Sequence, residues 1–297
     1  MSTSAQDQHS FGSPASGMTR SYTSPRTLFG MVMTLLAGAC LIIALIPLFL
    51  VLFYVLTQGA SRLNLDLFTK LPPPPGLKGG GVGNAIMGTL MTVGIGTLIS
   101  LPFGVLAAVY LSEFSKGTTA RWIRFATNVL AGVPSIIAGI FAYGIIVVTM
   151  GGFSAVAGGV ALAVLMLPTI VRTTDEALQI VPQDIRWASV GVGASNYQTV
   201  LRIVLPAATP AIITGVTLAI ARAAGETAPL IFTALNSPFW PRGIWKPTPS
   251  LSVLIYNFAS VPFEAQKELA WAASFLLVVL ILLTSILARW ATRKSVY

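Results

Sequence analysis

Two residues of opposite charge interrupt a long apolar stretch of this sequence. Arg222 and Glu226 lie within residues 203–235, and Thr227 follows them. A charge near the centre of a bilayer costs about 2.5–3.5 kcal/mol on insertion scales, so such residues usually belong to sites that handle ions or substrates. Because they stand four positions apart, both charges lie on one helical face and can offset each other's cost. The pair is therefore a candidate functional site; the alternative interpretation is a structural ion pair that holds helices together.

The composition predicts that these residues belong to a membrane protein. Of the 297 residues, 55% are hydrophobic and only 9% are charged, whereas soluble domains carry about 25% charged residues. The net charge of +9 comes from basic residues that stand singly at the ends of apolar runs. That placement is typical of membrane-topology signals and not of a nucleic-acid groove. A single cysteine and a single histidine exclude an intrachain disulfide and argue against a metal site of these residues.

The order of apolar runs predicts an all-α integral membrane protein with six transmembrane helices. The predicted spans are 27–61, 84–112, two crossings within 125–171 that turn at Gly151 and Gly152, 203–235, and 269–288. Residues 1–26 predict a disordered tail, and residues 27–297 the transmembrane domain. The segments 62–83 and 236–268 are expected outside the membrane, and the apolar residues 251–259 within the second are too few to cross, so they are expected at the interface.

The distribution of basic residues predicts the orientation. Eleven of the eighteen Lys and Arg residues lie in the two termini and in the connections on the same side, six lie in the two opposite loops, and Arg222 lies within a span. The positive-inside rule therefore places both termini and residues 172–202 in the cytoplasm. The two larger loops then face outward, where an extracytoplasmic partner can dock.

Residues 172–202 predict two short helices joined by a glycine elbow. Thr173 and Glu176 have capping-box spacing, Pro182 suits the start of a second helix, and the glycines at 191 and 193 permit a turn. Ser195 or Asn196 can cap the next helix, along which Tyr197, Val200, Leu201 and Val204 form an apolar stripe. This segment is either an ordinary interfacial loop or, as we favour, a docking element for a cytoplasmic partner.

The same segment resembles the loop of ABC-importer permeases known as the EAA motif, in which nine residues separate a glycine from Ile-x-Leu-Pro. The matching residues are Ala188, Gly193, Ile203, Leu205 and Pro206, and Trp187-Ala188-Ser189 occupy the places of Glu-Ala-Ala. Trp187 departs from the motif, so a salt bridge from that position is not expected. Asp184 or Arg186 can supply a polar contact instead.

Further runs resemble the phosphate-specific ABC permeases of the PstA type, over roughly residues 85–290. These runs are Ala221-Arg222 with Gly225-Glu226-Thr227-Ala228-Pro229-Leu230, Gly132-Val133-Pro134-Ser135-Ile136, and Leu167-Pro168-Thr169-Ile170-Val171-Arg172-Thr173-Thr174-Asp175. The resemblance implies the permease fold of a type I ABC importer with cytoplasmic coupling helices, in a bacterial plasma membrane. It implies as partners a PstC-type permease, two ATP-binding subunits and an extracytoplasmic phosphate-binding protein.

The resemblance also assigns roles to residues. The residues expected to couple the chain to the ATPase are Trp187, Ala188, Ser189, Gly193, Tyr197, Leu201, Ile203, Leu205 and Pro206. The sequence contains no Walker A lysine, because glycine-lysine-Ser/Thr does not occur. ATP and Mg²⁺ are therefore expected on partner subunits, and this chain is expected to be neither an enzyme nor a holder of a cofactor.

On this resemblance the charged pair is expected to lie on the path of phosphate. Arginine stays charged when desolvated, and its planar fork donates two parallel hydrogen bonds to an oxyanion. Glu226 would hold Arg222 until phosphate competes for it, with Thr227 as a further donor. Arg172 and Glu176 repeat this spacing. The simpler interpretation is an exposed interfacial pair; the alternative is that Arg172 is an exit-side contact for the anion.

Three alternatives are weighed against this function. A membrane enzyme would need a histidine or several carboxylates at depth, and only Glu226 is placed there. An ATP-independent secondary transporter would use Arg222 and Glu226 as a relay, but such folds usually show paired repeats, and no second copy of either motif is evident. A permease for another oxyanion, sulfate or molybdate, stays within the same class, because phosphate is indicated only by the resemblance.

Overall fold

The computed structural model describes residues 25–115 and 117–293, without the side chains of 291–293. The predicted disordered tail therefore lies, up to residue 24, outside the described residues. The chain divides after Phe53 into two units. The described part of the first is most of α1, Pro25–Ala60, which begins two residues before the predicted first span. The second unit, from Tyr54, contains all the other elements.

All regular elements among the described residues are helical. After α1 they are α2 (Leu65–Thr69), α3 (Gly83–Val109), α4 (Thr118–Ala131), α5 (Ser135–Ala142), α6 (Val148–Met150), α7 (Ala155–Ile180), α8 (Gln183–Gly191), α9 (Asn196–Thr199), α10 (Leu205–Gly225), α11 (Ala228–Thr233), α12 (Leu251–Ala259) and α13 (Glu264–Arg293). Three π-helical turns extend α3 (Tyr110–Phe114), join α5 to α6 (Tyr143–Val147) and join α9 to α10 (Val200–Val204). The predicted all-α class is confirmed.

Within the described residues, five helices are long and apolar enough to cross a membrane, and a sixth is added if one bent pair counts as a single span. That pair, Thr118–Ala131 and Ser135–Met150, is bent by 98°. Pro134 accounts for the bend, because a proline disfavours helical backbone at the preceding residue and donates no backbone hydrogen bond. The turn predicted at Gly151 is present, with a positive φ of 69° at that residue.

The predicted end of the fourth span was wrong, and so was the capping box. α7 continues without interruption to Ile180, so Thr173 and Glu176 lie in the helix interior, and the Thr173 hydroxyl donates to the carbonyl of Thr169 at 2.9 Å. The helix continues because its apolar face stays packed, with Ala177 and Leu178 buried. It stops where Pro182 follows.

The core of the second unit surrounds α7, whose buried residues Leu162, Met166 and Ile170 belong to the largest apolar cluster. Small residues let neighbouring helices approach closely, as is usual in membrane bundles. A Cβ at Gly104 of α3 would lie 2.7 Å from Ile170, and one at Gly215 of α10 would collide with Thr173. α3 and α10 therefore both pack closely against α7.

α12 was expected at the membrane interface but packs inward instead. Leu251, Val253 and Leu254 are buried, and the backbone N–H of Leu251 donates to the Thr89 hydroxyl of α3 at 2.8 Å. Ser250 caps the helix. A nine-residue apolar helix can lie at this depth because its polar end is bonded to neighbouring helices.

Candidate functional site

The predicted span 203–235 is not one continuous helix. α10 ends at Gly225, Glu226 has extended backbone with ψ 127°, and α11 begins at Ala228. Pro229 explains the break, because it cannot donate to the carbonyl of Gly225 four residues earlier and its ring would clash with that carbonyl. The sequence suggested that the charged pair lies in the middle of a helix. In the structure the pair lies at a helix end.

The structure brings the two charges together across this break. Arg222 Nε lies 3.6 Å from Glu226 Oε1, which is an ion pair but longer than a hydrogen bond. The Arg222 side chain is 61% exposed and that of Glu226 only 16%. The backbone carbonyl of Glu226 accepts a hydrogen bond from the Ser252 hydroxyl at 2.9 Å, so α12 holds the broken segment in place.

The pair lies well inside the helical bundle along its length. Ala221 and Ala224, on either side of Arg222, line a cavity of about 320 Å³ together with Val93 of α3 and residues of α13. Val93 is ten residues into α3, which corresponds to about 15 Å along the axis. Arg222 is therefore level with the interior of α3 and not with its first turn.

A second interrupted helix packs against this break. α5, which follows the bend at Pro134, crosses α11 so closely that a Cβ at Gly139 would lie 2.6 Å from the Pro229 Cα. The two sequence runs 132–136 and 225–230 thus belong to neighbouring helix interruptions. Nothing in the sequence indicated that they meet, because they lie about ninety residues apart along the chain.

Arg222 lies on a face of α10 that the rest of the described second unit leaves uncovered. The exposed residues at helical spacing along that face are Ala207, Ala211, Thr214, Leu218 and Arg222. Apart from Leu218 they are small or polar, which is unlike the large apolar side chains that usually face lipid. Arg222 is the charged residue of this stripe.

Arg172 lies elsewhere on the bundle. It pairs with Glu176 at 2.9 Å, and the two side chains are 62% and 60% exposed. Its neighbour Thr173 contacts Gly215, seven residues from Arg222 along α10, so the two pairs are offset by about 10 Å along the axis. The structure therefore does not bring Arg172 to Arg222.

Arg172 borders a polar cavity that sequence reasoning missed. The cavity, of about 340 Å³, is also lined by Arg124, Asn128 and Asp175. Arg124 donates to both carboxylate oxygens of Asp175 at 2.8 and 2.9 Å, which fastens α4 to α7. The two residues are 51 positions apart, so no spacing rule could have paired them.

The glycine elbow is present as predicted. α8 ends at Gly191, Gly193 takes a positive φ of 91°, and Ser195 caps α9 in a capping box with Gln198. The hydroxyls of Ser189 and Thr199 lie 2.8 Å apart and join the two arms. Positive φ is strained for residues with a side chain, so the glycine is required at this turn.

The predicted apolar stripe of the elbow divides between two surfaces. Tyr197 and Leu201 are exposed, whereas Val200 and Val204 are buried in the bundle. The division arises because α9 passes through the π-helical turn directly into α10, so one side of the stripe faces the core. Of the other predicted coupling residues, Trp187, Ala188, Gly193 and Pro206 are exposed, Ile203 and Leu205 are half-buried, and Ser189 is buried.

A buried ion pair fixes the elbow to the bundle. Arg186 Nη2 lies 2.8 Å from Glu113 Oε1, and Arg186 Nε donates to Glu113 Oε2 at 3.2 Å. The side chains are only 12% and 9% exposed. The polar contact expected from Asp184 or Arg186 is thus made by Arg186, and its partner Glu113 is a residue that the sequence reasoning did not single out.

Comparison with known proteins identifies the family. Residues 100–296 match the family model described as "Binding-protein-dependent transport system inner membrane component". The chain belongs to this family. It is 41% identical over 255 residues to the "Phosphate transport system permease protein PstA" of Yersinia pestis, covering 86% of each chain. It is 43% identical over 249 residues to the protein of that name from Haemophilus influenzae, covering 84% of this chain and 88% of the relative.

A solved structure shows the same fold. The permease shares a TM-score of 0.64 with a chain of the bacterial alginate ABC transporter in complex with alginate pentasaccharide-bound periplasmic protein, at 14% identity, covering 92% of this chain and 98% of the other. The predicted PstA-type resemblance and the ABC-importer permease fold are confirmed. The chain is a multi-pass membrane protein, and the relatives that it matches are permeases and not enzymes.

Proposed function

We propose that this chain is the permease subunit of an ATP-driven phosphate importer and forms half of the path of inorganic phosphate across the bacterial plasma membrane. Its relatives named as phosphate transport system permeases match it over most of their length. The observation that carries the mechanism is the Arg222–Glu226 ion pair at the break between α10 and α11. A cation at this depth is expensive unless it serves an anion.

Arg222 is the proposed contact for phosphate within the membrane. Its fork can donate two parallel hydrogen bonds to one oxyanion, and its ion pair with Glu226 is too long for a hydrogen bond. No hydrogen bond between Glu226 and Arg222 therefore has to break before phosphate takes that place. When phosphate leaves, Glu226 neutralises the guanidinium again. Thr227, at the break itself, supplies a hydroxyl donor.

The exposed face of α10 supports a path between two permeases. A 61% exposed guanidinium in an apolar span needs a covering surface, and a second permease of the PstC type would close the small-residue stripe around a polar path. Arg172, nearer the opposite end of α10, is the proposed inner contact on that path. Its partner Glu176 is 60% exposed, whereas Glu226 is 16% exposed, so water screens the pair at Arg172 more and makes it the weaker of the two contacts.

The elbow is the proposed docking surface for the ATPase. Trp187, Tyr197 and Leu201 present exposed apolar side chains around it, which suits insertion into a groove of a partner. Two ATP-binding subunits, carrying ATP and Mg²⁺, would act on the two permeases, and no cofactor is assigned to this chain. With this segment and both termini in the cytoplasm, the loops around residues 62–83 and 236–263 face outward, toward an extracytoplasmic phosphate-binding protein.

The test of this function is uptake by the reconstituted complex. The chain is expected to copurify with a second permease and an ATP-binding subunit, and proteoliposomes containing the complex should accumulate radiolabelled phosphate only with internal ATP and external binding protein. Excess sulfate or molybdate should leave uptake unchanged. Competition by either anion would move the function to that oxyanion. Accumulation without ATP or an ATPase subunit would favour a secondary transporter instead.

A further inference from the structure

One side chain of the elbow bonds to two helices of the bundle at once. Arg186, in α8, donates to both carboxylate oxygens of Glu113, to the backbone carbonyl of Leu178 at 2.8 Å and to that of Val181. Glu113 belongs to the π-helical turn that ends α3, and Leu178 belongs to the last turns of α7. A single guanidinium therefore joins α8 to the inner ends of α3 and α7.

The environment of this pair distinguishes it from the exposed ion pairs of the chain. The side chains of Arg186 and Glu113 are only 12% and 9% exposed. A largely buried charge that loses its partner is unfavourable, so the contact resists opening. The fork of arginine satisfies a carboxylate and carbonyls together, which lysine cannot reproduce. The π-helical turn at Glu113 is a feature often found at functional sites. The connection is therefore rigid and directional.

The elbow has three connections to the bundle, one of which is the short covalent link from α7 through Val181 and Pro182 into α8. α9 runs through the π-helical turn Val200–Val204 directly into α10, so its connection to α10 is covalent. α8 lies on the other side of the turn at Gly193 and reaches α3 through the ion pair. α3 and α7 pack closely, since a Cβ at Gly104 would lie 2.7 Å from Ile170. They are expected to move together as one body.

We infer that Arg186 and Glu113 act as a strut that transmits movement of α8 to the α3–α7 body while α9 moves α10. This inference rests on the proposed function, because it assigns the transmission step of ATP-driven transport. One push on the elbow then changes the position of α10 relative to α7. The contact between α10 and α7 includes Thr173 and Gly215. Because Arg222 belongs to α10, it moves with that helix. Arg186 and Glu113 are positioning residues and touch no substrate.

The ratio of phosphate imported to ATP hydrolysed tests the strut, measured on the reconstituted complex with its partners. Glu113→Gln keeps the size of the side chain and removes its charge. Binding-protein-stimulated ATP hydrolysis should continue, while phosphate imported per ATP should fall about tenfold, within the range found for residues that carry coupling. The matched control is Glu264→Gln, which makes the same change in an exposed pair with Lys267 and should keep the ratio of the unaltered complex.

Two further variants complete the test. In Glu113→Gln/Arg186→Gln the ratio should be no lower than in either single variant, because the two residues act as one unit. If Glu113→Gln does not assemble, Arg186→Lys decides: it keeps a paired charge but loses the fork, and the ratio should fall about threefold. An unchanged ratio in assembled Glu113→Gln or in Arg186→Lys overturns the strut. Failure of the unaltered complex to import phosphate would instead overturn the proposed function.

Discussion

The chain contains two Arg–Glu pairs of identical spacing whose surroundings differ. Arg172 and Glu176 lie within the uninterrupted helix α7, 2.9 Å apart, with both side chains about equally exposed. Arg222 and Glu226 lie across the end of α10, 3.6 Å apart, and the carboxylate is four times less exposed than the guanidinium. The helix break withdraws Glu226 toward the bundle and leaves Arg222 on its surface.

This difference means that Arg222 can exchange Glu226 for an anion, whereas water screens the interaction of Arg172 with Glu176. In an uninterrupted helix the two side chains can meet in good hydrogen-bonding geometry, and exposure limits their interaction to a few tenths of a kcal/mol. At the break the geometry is looser, but Glu226 is only 16% exposed, and charge interactions are stronger where water is excluded. Spacing alone therefore identifies ion pairs, whereas the backbone decides which pair can serve an anion.

The largest effect is expected from Arg222→Gln. Loss of two charge-assisted hydrogen bonds to the anion should lower phosphate uptake about 100-fold, since each tenfold change corresponds to about 1.4 kcal/mol. Uptake per assembled complex in proteoliposomes measures this. Arg121→Gln removes the same charge from an exposed position of α4 and is the control, with uptake expected to stay near that of the unaltered complex. Undiminished uptake in Arg222→Gln would remove Arg222 from the mechanism.

A smaller effect is expected from Gly139→Ala, which disturbs the backbone at the break between α10 and α11. The new methyl group would lie 2.6 Å from the Pro229 Cα, and neither backbone can yield without moving the break. Overpacking of this kind costs about 1–3 kcal/mol, so the detergent-solubilised complex should unfold at a lower temperature. Uptake should fall about tenfold because the functional groups are displaced.

The control for this change is Gly144→Ala, in the π-helical turn that follows α5, where a Cβ meets nothing within 4 Å. It should keep both the unfolding temperature and uptake. Equal behaviour of the two variants would show that contact between the interrupted helices does not position the charged pair.

Sequence reasoning found what local chemistry determines. The charged pair, the glycine elbow and the turn at Gly151 follow from rules that act within a few residues. It placed the end of α7 and the capping of Thr173 wrongly, because tertiary packing extends a helix past its apolar run. It also treated residues 203–235 as one span, although Pro229 was visible and prohibits a hydrogen bond to Gly225.

The remaining misses involve contacts between distant parts of the chain. Glu113 with Arg186 and Arg124 with Asp175 are separated by 73 and 51 residues. Gly139 and Pro229 also meet only because two helices are interrupted at neighbouring positions. Such pairings depend on helix packing, which a single sequence does not encode in any local pattern. Helix packing also explains why the apolar stripe of the elbow is only partly exposed, because the bundle covers Val200 and Val204.

An intermediate effect is expected from Glu226→Gln, which removes the carboxylate that competes with phosphate for Arg222. Without the competing carboxylate, phosphate should bind Arg222 more tightly and leave more slowly. Both the KM for uptake and the maximal rate should therefore fall, each about fivefold, the pattern of a variant that has lost ground-state competition. Initial rates over a range of phosphate concentrations, with saturating binding protein, measure the two constants. A raised KM would mean that Glu226 helps to bind the anion and does not compete for it.

The smallest effect is expected from Arg172→Gln, the same substitution made in the other pair. Because both side chains are about 60% exposed, water already competes with any anion, and loss of the guanidinium should lower uptake per complex only about twofold. Raising the salt concentration should reduce the difference from the unaltered complex further, since exposed charges are screened. Uptake unchanged at every salt concentration would make Arg172 and Glu176 a surface pair with no part in the path. A loss as large as that of Arg222→Gln would instead make the water-exposed pair the equal of the pair at the break, and exposure would no longer distinguish them.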